Sequence, residues 1–350
     1  MKTKTAIVTG STGIFGKYLV KDLLKSKSKI ILLVRADSQK QADDRIKKLL
    51  APDSSPFDKI TVLKCDLTQE NLGLASGELK ILKQTTTHIL HAAASTKFTL
   101  PLNEARRNNV ETTKRLLSFA KNCKSLERFG FVSTAYVAGK RSGVILEEEF
   151  EHNAGFLNTY EESKYEAETI VRSMISLLPV VIFRPSLIIT PYKKSDISPV
   201  NALTLGLFLA RKGFLPVFPG GEDNKLDIID GTVASKAVTQ IFLKDSLHCL
   251  TYHITSAQNS PRIKDFIGMI ESQSGKRLPI RFCGDIEKFT SELKKITRFR
   301  PDLIAIYKKT QSFLPELAFP KIYDNKNLLE ELKLKAFSLR PINSVQPILK

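Results

Sequence analysis

The first half of the chain alternates short apolar segments with longer amphipathic ones. The short segments lack polar alternation, which is typical of strands that helices cover on both faces. A repeated strand–helix order predicts an α/β fold with a doubly wound parallel sheet. The predicted elements are strand Thr5–Thr9, helix Gly13–Ser26, strand Ile30–Val34, helix Gln39–Leu50, strand Ile60–Lys64, helix Glu70–Lys83, strand His88–His91, helix Leu102–Asn122, strand Arg128–Ser133, helix Thr159–Leu177 and strand Val180–Phe183.

A glycine-rich segment lies where the first strand meets the first helix. Glycine permits a tight turn there and lets the backbone approach a pyrophosphate, which the helix N-terminus attracts. The spacing is Gly-x-x-Gly-x-x-Gly, and Tyr18 stands where a nucleoside-triphosphate-binding loop requires Ser or Thr. The segment therefore predicts a Rossmann-type dinucleotide site. Its expected cofactor contacts are Gly10, Ser11, Thr12, Gly13, Ile14, Phe15 and Gly16.

The ends of the next strands indicate which dinucleotide binds. An acid after the second strand suits the ribose hydroxyl of NAD, whereas an arginine suits the 2′-phosphate of NADP. Arg35 follows this strand directly, and Asp37 comes two residues later. We therefore expect NADP(H) in preference to NAD(H). Further cofactor contacts are expected at the ends of the third and fourth strands, from Asp66, Leu67, Ala92, Ala93 and Ala94.

A tyrosine and a lysine lie four residues apart on one predicted helix, at Tyr160 and Lys164. A carbonyl that accepts hydride must also receive a proton, and a tyrosine with a pKa of about 10 donates poorly at pH 7. A lysine ammonium about 4 Å away contributes about 4 kcal/mol at an effective dielectric near 20, or about three pKa units. Thr134, just past the fifth strand, can hold the carbonyl oxygen in line. This combination predicts carbonyl reduction.

Together these motifs resemble those of the extended short-chain dehydrogenases/reductases. The matching segments are Thr9–Gly16, Asp66–Thr68, His91–Ala94, Asn109, Ser133–Thr134, Tyr160–Lys164 and Arg184–Ser186. The resemblance implies that Tyr160 is the acid, that Lys164 orients the nicotinamide ribose, and that Thr134 polarises the carbonyl. It also implies that Asn109 supports the lysine through a water. Cofactor contacts are implied for Tyr160, Lys164, Pro185 and Ser186.

Other segments are similar to the fatty acyl-CoA reductase and thioester reductase branch of that family. They are Leu33–Ala36, Val132–Val137, Gly213–Gly220, Asp227–Asp230 and Tyr323–Asn327. The branch implies reduction of an acyl thioester, on coenzyme A or a carrier protein, to an aldehyde or alcohol. Where the branch carries Val-Asp-Tyr or Val-Asp-His, this chain has Ile229-Asp230-Gly231. A reductase or epimerase acting on a nucleotide sugar or ketone is the alternative, and a non-catalytic cofactor-binding regulator is a third class.

The strand–helix alternation becomes irregular after Phe183, which bears on domain organisation. We expect a Rossmann domain over residues 1–185, to which residues 225–260 return. Residues 186–224 and 261–350 are expected to form a smaller, interleaved substrate-binding part. No clean linker separates the two.

Charge and cysteine usage limit the possible partners. Fifty-four lysines and arginines against 36 acids give a formal charge of +18, which favours anionic partners. Because the basic residues are scattered and no nucleic-acid-binding motif accompanies them, nucleic acid is not an expected partner. Four dispersed cysteines and five histidines offer no metal-ligand spacing. We expect a cytoplasmic protein with no membrane span, although peripheral membrane association through the apolar segment Leu203–Phe218 is possible.

Overall fold

A seven-stranded, fully parallel sheet forms the centre of the molecule. The computed structural model describes residues 3–50, 57–189, 209–210, 212–310 and 313–335. The strand order is β3-β2-β1-β4-β5-β7-β11. These strands are β1 (Thr5–Thr9), β2 (Lys29–Arg35), β3 (Ile60–Cys65), β4 (His88–His91), β5 (Arg128–Val132), β7 (Val180–Pro185) and β11 (Thr251–Ile254). The order reverses between β1 and β4, the point at which doubly wound folds bind nucleotides.

Helices cover both faces of this sheet, as the apolar strands require. One apolar layer joins the sheet to α1, α2, α7 and α11, and the other joins it to α3, α5 and α6. The helices are α1 (Gly16–Leu24), α2 (Gln39–Leu50), α3 (Ser76–Thr85), α4 (Leu102–Arg106), α5 (Thr112–Lys121), α6 (Thr159–Arg172), α7 (Gly231–Phe242), α8 (Ile263–Ser274), α9 (Ile286–Phe299), α10 (Ile304–Thr310) and α11 (Lys326–Leu332).

Three two-stranded parallel sheets build the region beside the carboxyl edge of the central sheet. Their pairs are β8 (Leu187–Ile189) with β10 (Ile228–Asp230), β9 (Val217–Phe218) with β12 (Arg281–Phe282), and β6 (Gly143–Ile145) with β13 (Lys321–Tyr323). A separate apolar cluster lies there, with α8 and α9 contributing Phe266 and Phe289. The domain division stays a prediction. Much of the segment 203–218 proposed for membrane contact lies outside the described residues.

Two predicted helices are interrupted. The helix predicted over Leu102–Asn122 is α4 and α5 joined by a π-helical turn, Arg107–Glu111. Beside this turn, the hydroxyls of Thr112 and Thr113 donate to the carbonyls of Asn108 and Asn109, each at 2.6 Å.

The other interrupted prediction spans Glu70–Lys83. Asn71 and Leu72 have positive φ angles of 51° and 61°, which break the short turn Glu70–Gly73, so the continuous helix α3 begins only at Ser76. The predicted helices Gly13–Ser26 and Thr159–Leu177 are also shorter in the structure, as α1 and α6.

Candidate active site

The glycine loop packs directly against the end of β4. Gly10 has φ 74°, and a Cβ on it would lie 2.5 Å from the carbonyl carbon and oxygen of Ala92. A Cβ on Gly16 would overlap the carbonyl oxygen of Gly10. Both positions therefore require glycine, and the loop leaves bare backbone at the point where the sheet order reverses. Thr12, Gly13 and Ile14 form its exposed rim, and Phe15 is half-buried.

Ser11 supplies a further group in this loop. Its side chain is 1% exposed, and its hydroxyl has no hydrogen-bond partner among the described residues. A buried hydroxyl without a partner is costly, and a phosphate oxygen would satisfy it. The loop residues therefore fit the pyrophosphate of a dinucleotide, which the helix N-terminus of α1 also favours.

The adenosine end of the predicted site is a cleft of about 510 Å³ beyond β2. Its lining residues are Arg35, Ala36, Asp37, Gln41, Arg45, Lys64, Asp66, Gln69 and Gly73. Arg45 donates to the carbonyl of Arg35 at 2.6 Å, which brings a second guanidinium into the cleft. The sequence analysis did not identify Arg45, although its position on the helix after β2 was an available signal.

Asp66 and Leu67 have different surroundings. Burial alone would raise the pKa of Asp66, but hydrogen bonds from Thr68 and Gln69 and the charge of Arg35 hold it below its usual range. Its carboxylate thus stays ionised in the cleft. The side chain of Leu67 is buried in the apolar layer beneath the sheet edge, so Asp66 is the member of the pair that lines the cleft.

The alanines after β4 lie opposite the glycine loop. Ala92 and Ala93 are half-buried and Ala94 is exposed. The backbone N–H of Ala93 donates to the hydroxyl of Thr9 at 3.2 Å, which ties the end of β4 to the end of β1. The cofactor contacts expected from these alanines stay a prediction.

Tyr160 and Thr134 are brought together by α6 and the turn after β5. The phenol of Tyr160 lies near the Thr134 hydroxyl, whose interaction with it lowers the pKa of the phenol. Thr134 is buried, and its hydroxyl also lies 3.5 Å from the carbonyl of Pro185 at the end of β7. Ser186, the next residue, is buried beside the Asp227 carboxylate. Thr134 and Ser186 therefore place two hydroxyls at the carboxyl edge of the sheet.

Lys164 lies one turn further along α6 and is 2% exposed. Its ammonium donates to the carbonyl of Val132 at 2.9 Å and lies 4.1 Å from the ring centroid of Phe131. Burial lowers the pKa of Lys164 to about 7, and the nearby Glu168 opposes this shift. The lysine therefore titrates near neutrality.

One expectation about Tyr160 is not met. The predicted lowering of its pKa by Lys164 is absent, because burial raises the pKa of Tyr160 to about 12, with the Thr134 hydrogen bond acting in the opposite direction. Desolvation is the largest influence on this pKa and the negative charge of Glu161 raises it further, while the Lys164 ammonium is engaged by the Val132 carbonyl. Tyr160 is thus a protonated phenol at neutral pH.

Asn109 contacts α6 through a serine. Its amide donates to Ser163 Oγ at 2.9 Å and to the carbonyl of Ser95 at 3.1 Å. Its own backbone carbonyl accepts from Thr113. The implied support of Lys164 by Asn109 is therefore indirect here, since the side chain of Asn109 bonds Ser163, the neighbour of Lys164 in the chain.

Aromatic side chains flank Tyr160. The ring of Phe98 lies 5.3 Å from that of Tyr160, and Phe313 lies 6.4 Å from Phe98 and 6.2 Å from Tyr136. The sequence analysis did not assign these residues to the site, because Phe98 and Phe313 belong to no motif. No metal-binding cluster of His, Cys, Asp or Glu occurs in the described ranges. None of the helices described there could cross a bilayer.

Comparison with known proteins identifies the family of this chain. The family model described as Male sterility protein matches residues 8–238. Fatty acyl-CoA reductase wat of Drosophila melanogaster is 29% identical over 269 residues, covering 65% of this chain and 52% of that protein. Fatty acyl-CoA reductase 1 of Homo sapiens is 27% identical over 266 residues, with coverages of 65% and 52%. The chain thus spans about half the length of these curated relatives.

Solved structures share the whole architecture. The terminal R domain from the myxalamid PKS-NRPS pathway has a TM-score of 0.81 at 22% identity, covering 100% of this chain and 90% of that one. The reductase (R) domain of a nonribosomal peptide synthetase from Mycobacterium tuberculosis has a TM-score of 0.72 at 19% identity, with coverages of 99% and 91%. The predicted fold class, an α/β doubly wound parallel sheet, is therefore confirmed.

Proposed function

Because the chain belongs to the family described as Male sterility protein, we propose that it reduces an acyl thioester to an aldehyde or alcohol with NADPH. The membership confirms the predicted family, the extended short-chain dehydrogenases/reductases in the fatty acyl-CoA reductase and thioester reductase branch, and its NAD(P)-dependent oxidoreductase class. The single observation that carries the activity is the pairing of Tyr160 with Thr134, one helical turn from the buried Lys164.

The proposed chemistry assigns one task to each side chain. When bound, the reduced nicotinamide supplies a hydride to the carbonyl carbon. The Thr134 hydroxyl donates a hydrogen bond to the carbonyl oxygen, and Tyr160 gives that oxygen its phenolic proton. Lys164, with a pKa of about 7, can return a proton to the tyrosinate. The resulting hemithioacetal loses its thiol and leaves the aldehyde.

NADPH is the proposed cofactor because of the charges in the adenosine cleft. Arg35, Arg45 and Lys64 line it against Asp37 and Asp66. Two guanidiniums suit a 2′-phosphate, since arginine presents several N–H donors to an anion. Gly10, Ser11 and the alanines after β4 would hold the pyrophosphate side.

An acyl thioester is the proposed substrate class for two reasons. The curated relatives carry the name fatty acyl-CoA reductase, and a structural neighbour is described as a thiolation-reductase di-domain. The aromatic rings of Phe98, Tyr136 and Phe313 beside Tyr160 suit an apolar acyl chain. Coenzyme A and a carrier protein are both compatible with the basic balance of the chain. A cytoplasmic location stays a prediction.

The first test is oxidation of NADPH and of NADH at 340 nm with acyl-CoAs and acyl carriers of different chain length. Tyr160→Phe is expected to reduce turnover by about 10²-fold or more, the usual contribution of a general acid. Tyr165→Phe is the matched control, because Tyr165 lies on the same helix and stacks on Phe150 at 4.5 Å. We expect that control to retain activity.

Three results would each contradict one part of the proposal. Equal turnover by wild type and Tyr160→Phe would remove the acid role. Turnover with nucleotide sugars or ketones alone would move the substrate class to the alternative reductase or epimerase. Equal efficiency with NADH and NADPH would contradict only the cofactor preference.

A further inference from the structure

A chain of buried hydrogen bonds runs from the strand that carries the glycine loop to the helix that carries Tyr160. Its members come from β1, β4, the π-helical turn, α5 and α6, and none is more than 1% exposed. They are Thr9, His91, Thr113, Asn109 and Ser163. Buried polar networks of this kind are stable only when every donor and acceptor is satisfied, so each bond constrains its neighbours.

The bond directions in the first part of the network are determined by its chemistry. The Thr113 hydroxyl must donate to the Asn109 carbonyl at 2.6 Å, because a carbonyl only accepts. It therefore accepts from Nε2–H of His91 at 3.1 Å, and Nδ1 of His91 accepts from the Thr9 hydroxyl at 2.8 Å. The Thr9 oxygen in turn accepts from the N–H of Ala93. Burial lowers the pKa of His91 to about 3, so the imidazole stays neutral in this one tautomer.

The second part of the network reaches the catalytic helix. The Asn109 side chain accepts from the N–H of Ser95 at 2.7 Å and donates to the Ser95 carbonyl and to Ser163 Oγ. Ser163 then donates to the backbone carbonyl of Tyr160 at 3.0 Å. Asn109 thus joins the segment after the alanines of β4 to the first turn of α6.

We propose that His91 and Thr113 are positioning residues, which hold Tyr160 and Lys164 at a fixed place relative to the dinucleotide-binding surface formed by the glycine loop and Ala92–Ala94. The inference rests on the proposed function. Neither residue touches the reacting atoms. Their effect is geometric, because a displacement of about 1 Å at the reacting groups can cost about 10²-fold in rate.

The chain offers a matched pair of variants for this proposal. Thr113→Val keeps the side-chain shape but removes the hydroxyl that connects His91 to Asn109. Thr112→Val removes the same kind of bond, since the buried Thr112 hydroxyl donates at 2.6 Å to the carbonyl of Asn108, which is not a member of the network. Thr113→Ser restores the hydroxyl and should rescue the valine variant.

The expected result separates positioning from stability. Both valine variants should lower the melting temperature by a similar amount, because each removes one buried hydrogen bond. Only Thr113→Val should lower kcat, by about tenfold or more, with the KM for the acyl thioester nearly unchanged. Equal kcat values for the two valine variants would overturn the proposal. If Thr113→Val does not fold, Ser163→Ala interrupts the same network at its other end and should give the same split.

A second measurement needs no substrate. Hydrogen–deuterium exchange of the backbone amides of residues 159–165 reports the rigidity of the first turn of α6. In Thr113→Val this segment should exchange faster than in wild type and Thr112→Val, with NADPH present or absent. Unchanged exchange would refute the positioning role even if the acyl thioester proves to be the wrong substrate. Absence of thioester turnover by wild type, with faster exchange in Thr113→Val, would refute the substrate class alone.

Discussion

At the scale of single residues, Lys164 carries the charge that we propose for catalysis, and its burial makes that charge unfavourable. The side chain is 2% exposed, and its ammonium is held by one carbonyl and the face of Phe131. Desolvation lowers its pKa from 10.5 to about 7. The folded state therefore binds this proton less tightly than the unfolded state does. Burial of Lys164 therefore lowers the free energy of unfolding at every pH at which the lysine is charged in the unfolded chain.

Replacement of Lys164 by methionine is expected to separate stability from activity. The variant should unfold at the same or a higher temperature than wild type, because a buried charge is removed. This gain should be largest below pH 7 and fade as the pH rises towards 10.5, where the lysine is neutral in both states. Turnover should fall by about 10²-fold or more. Thermal unfolding at several pH values, together with NADPH oxidation, provides the check, and a less stable variant at pH 6 would contradict it.

At the scale of elements, the β1–α1 turn depends on the absence of side chains. Gly16 begins α1 and lies against the carbonyl of Gly10, so the helix packs onto the loop backbone itself. Gly77 is a useful contrast, because it lies in the first turn of α3 with no atom within 4 Å of its virtual Cβ. The two glycines thus have opposite structural requirements.

Alanine substitution at these two glycines should act in opposite directions. Gly16→Ala is expected to displace the loop and weaken NADPH binding by about tenfold or more, since the backbone must approach the pyrophosphate closely. Gly77→Ala should stabilise the protein by about 0.5–1 kcal/mol, because alanine favours a helix and nothing obstructs it. Fluorescence titration of NADPH and denaturant unfolding measure the two effects. Normal cofactor affinity in Gly16→Ala would contradict the assigned role of the loop.

Element boundaries show where sequence reasoning reached its limit. Strand periodicity and the glycine loop predicted the order of elements and the place of Thr134, Tyr160 and Lys164. The π-helical turn around Asn109 was not predicted, because the segment Leu102–Asn122 keeps a helical residue pattern through it. Phe98 and Phe313 were missed because each enters the site through packing between segments distant in sequence, whereas Arg45 was missed although it follows β2 on the next helix. The expected lowering of the Tyr160 pKa was not found, since the sequence does not show how far a motif tyrosine is desolvated.

At the scale of the whole molecule, buried acids join the C-terminal segment to the central sheet and the helix α6. Glu316 accepts from Lys321 at 2.6 Å and interacts with Glu161, the residue after Tyr160. Burial raises the pKa of Glu316 and raises that of Glu161 to about 8. Glu147 accepts from the N–H groups of His253 and Asn327. Carboxyl groups thus hold the last described strand and helix in place.

These acids predict that the free energy of unfolding falls as the pH rises from about 4.5, the ordinary glutamate value, to about 8. The folded-state pKa of each is above its unfolded value, so its contribution is complete at low pH and is lost as the pH rises through the folded value. Lys164 acts in the opposite direction above pH 7, but it is one group against several. Glu316→Gln should flatten the pH dependence of the melting temperature, whereas the exposed Glu330→Gln should not. Parallel pH profiles for wild type and Glu316→Gln would contradict this account.

The position of β11 has a consequence for synthesis of the chain. This strand completes the central sheet beside β7, yet it is made about 70 residues later, after β8, β9, β10 and α7. Until residue 254 leaves the ribosome, the buried apolar strand Val180–Pro185 presents an unpaired edge. Open edges of this kind pair readily with other chains. The nascent chain therefore risks aggregation through this edge between the synthesis of β7 and that of β11, and slow elongation over this stretch would prolong the risk.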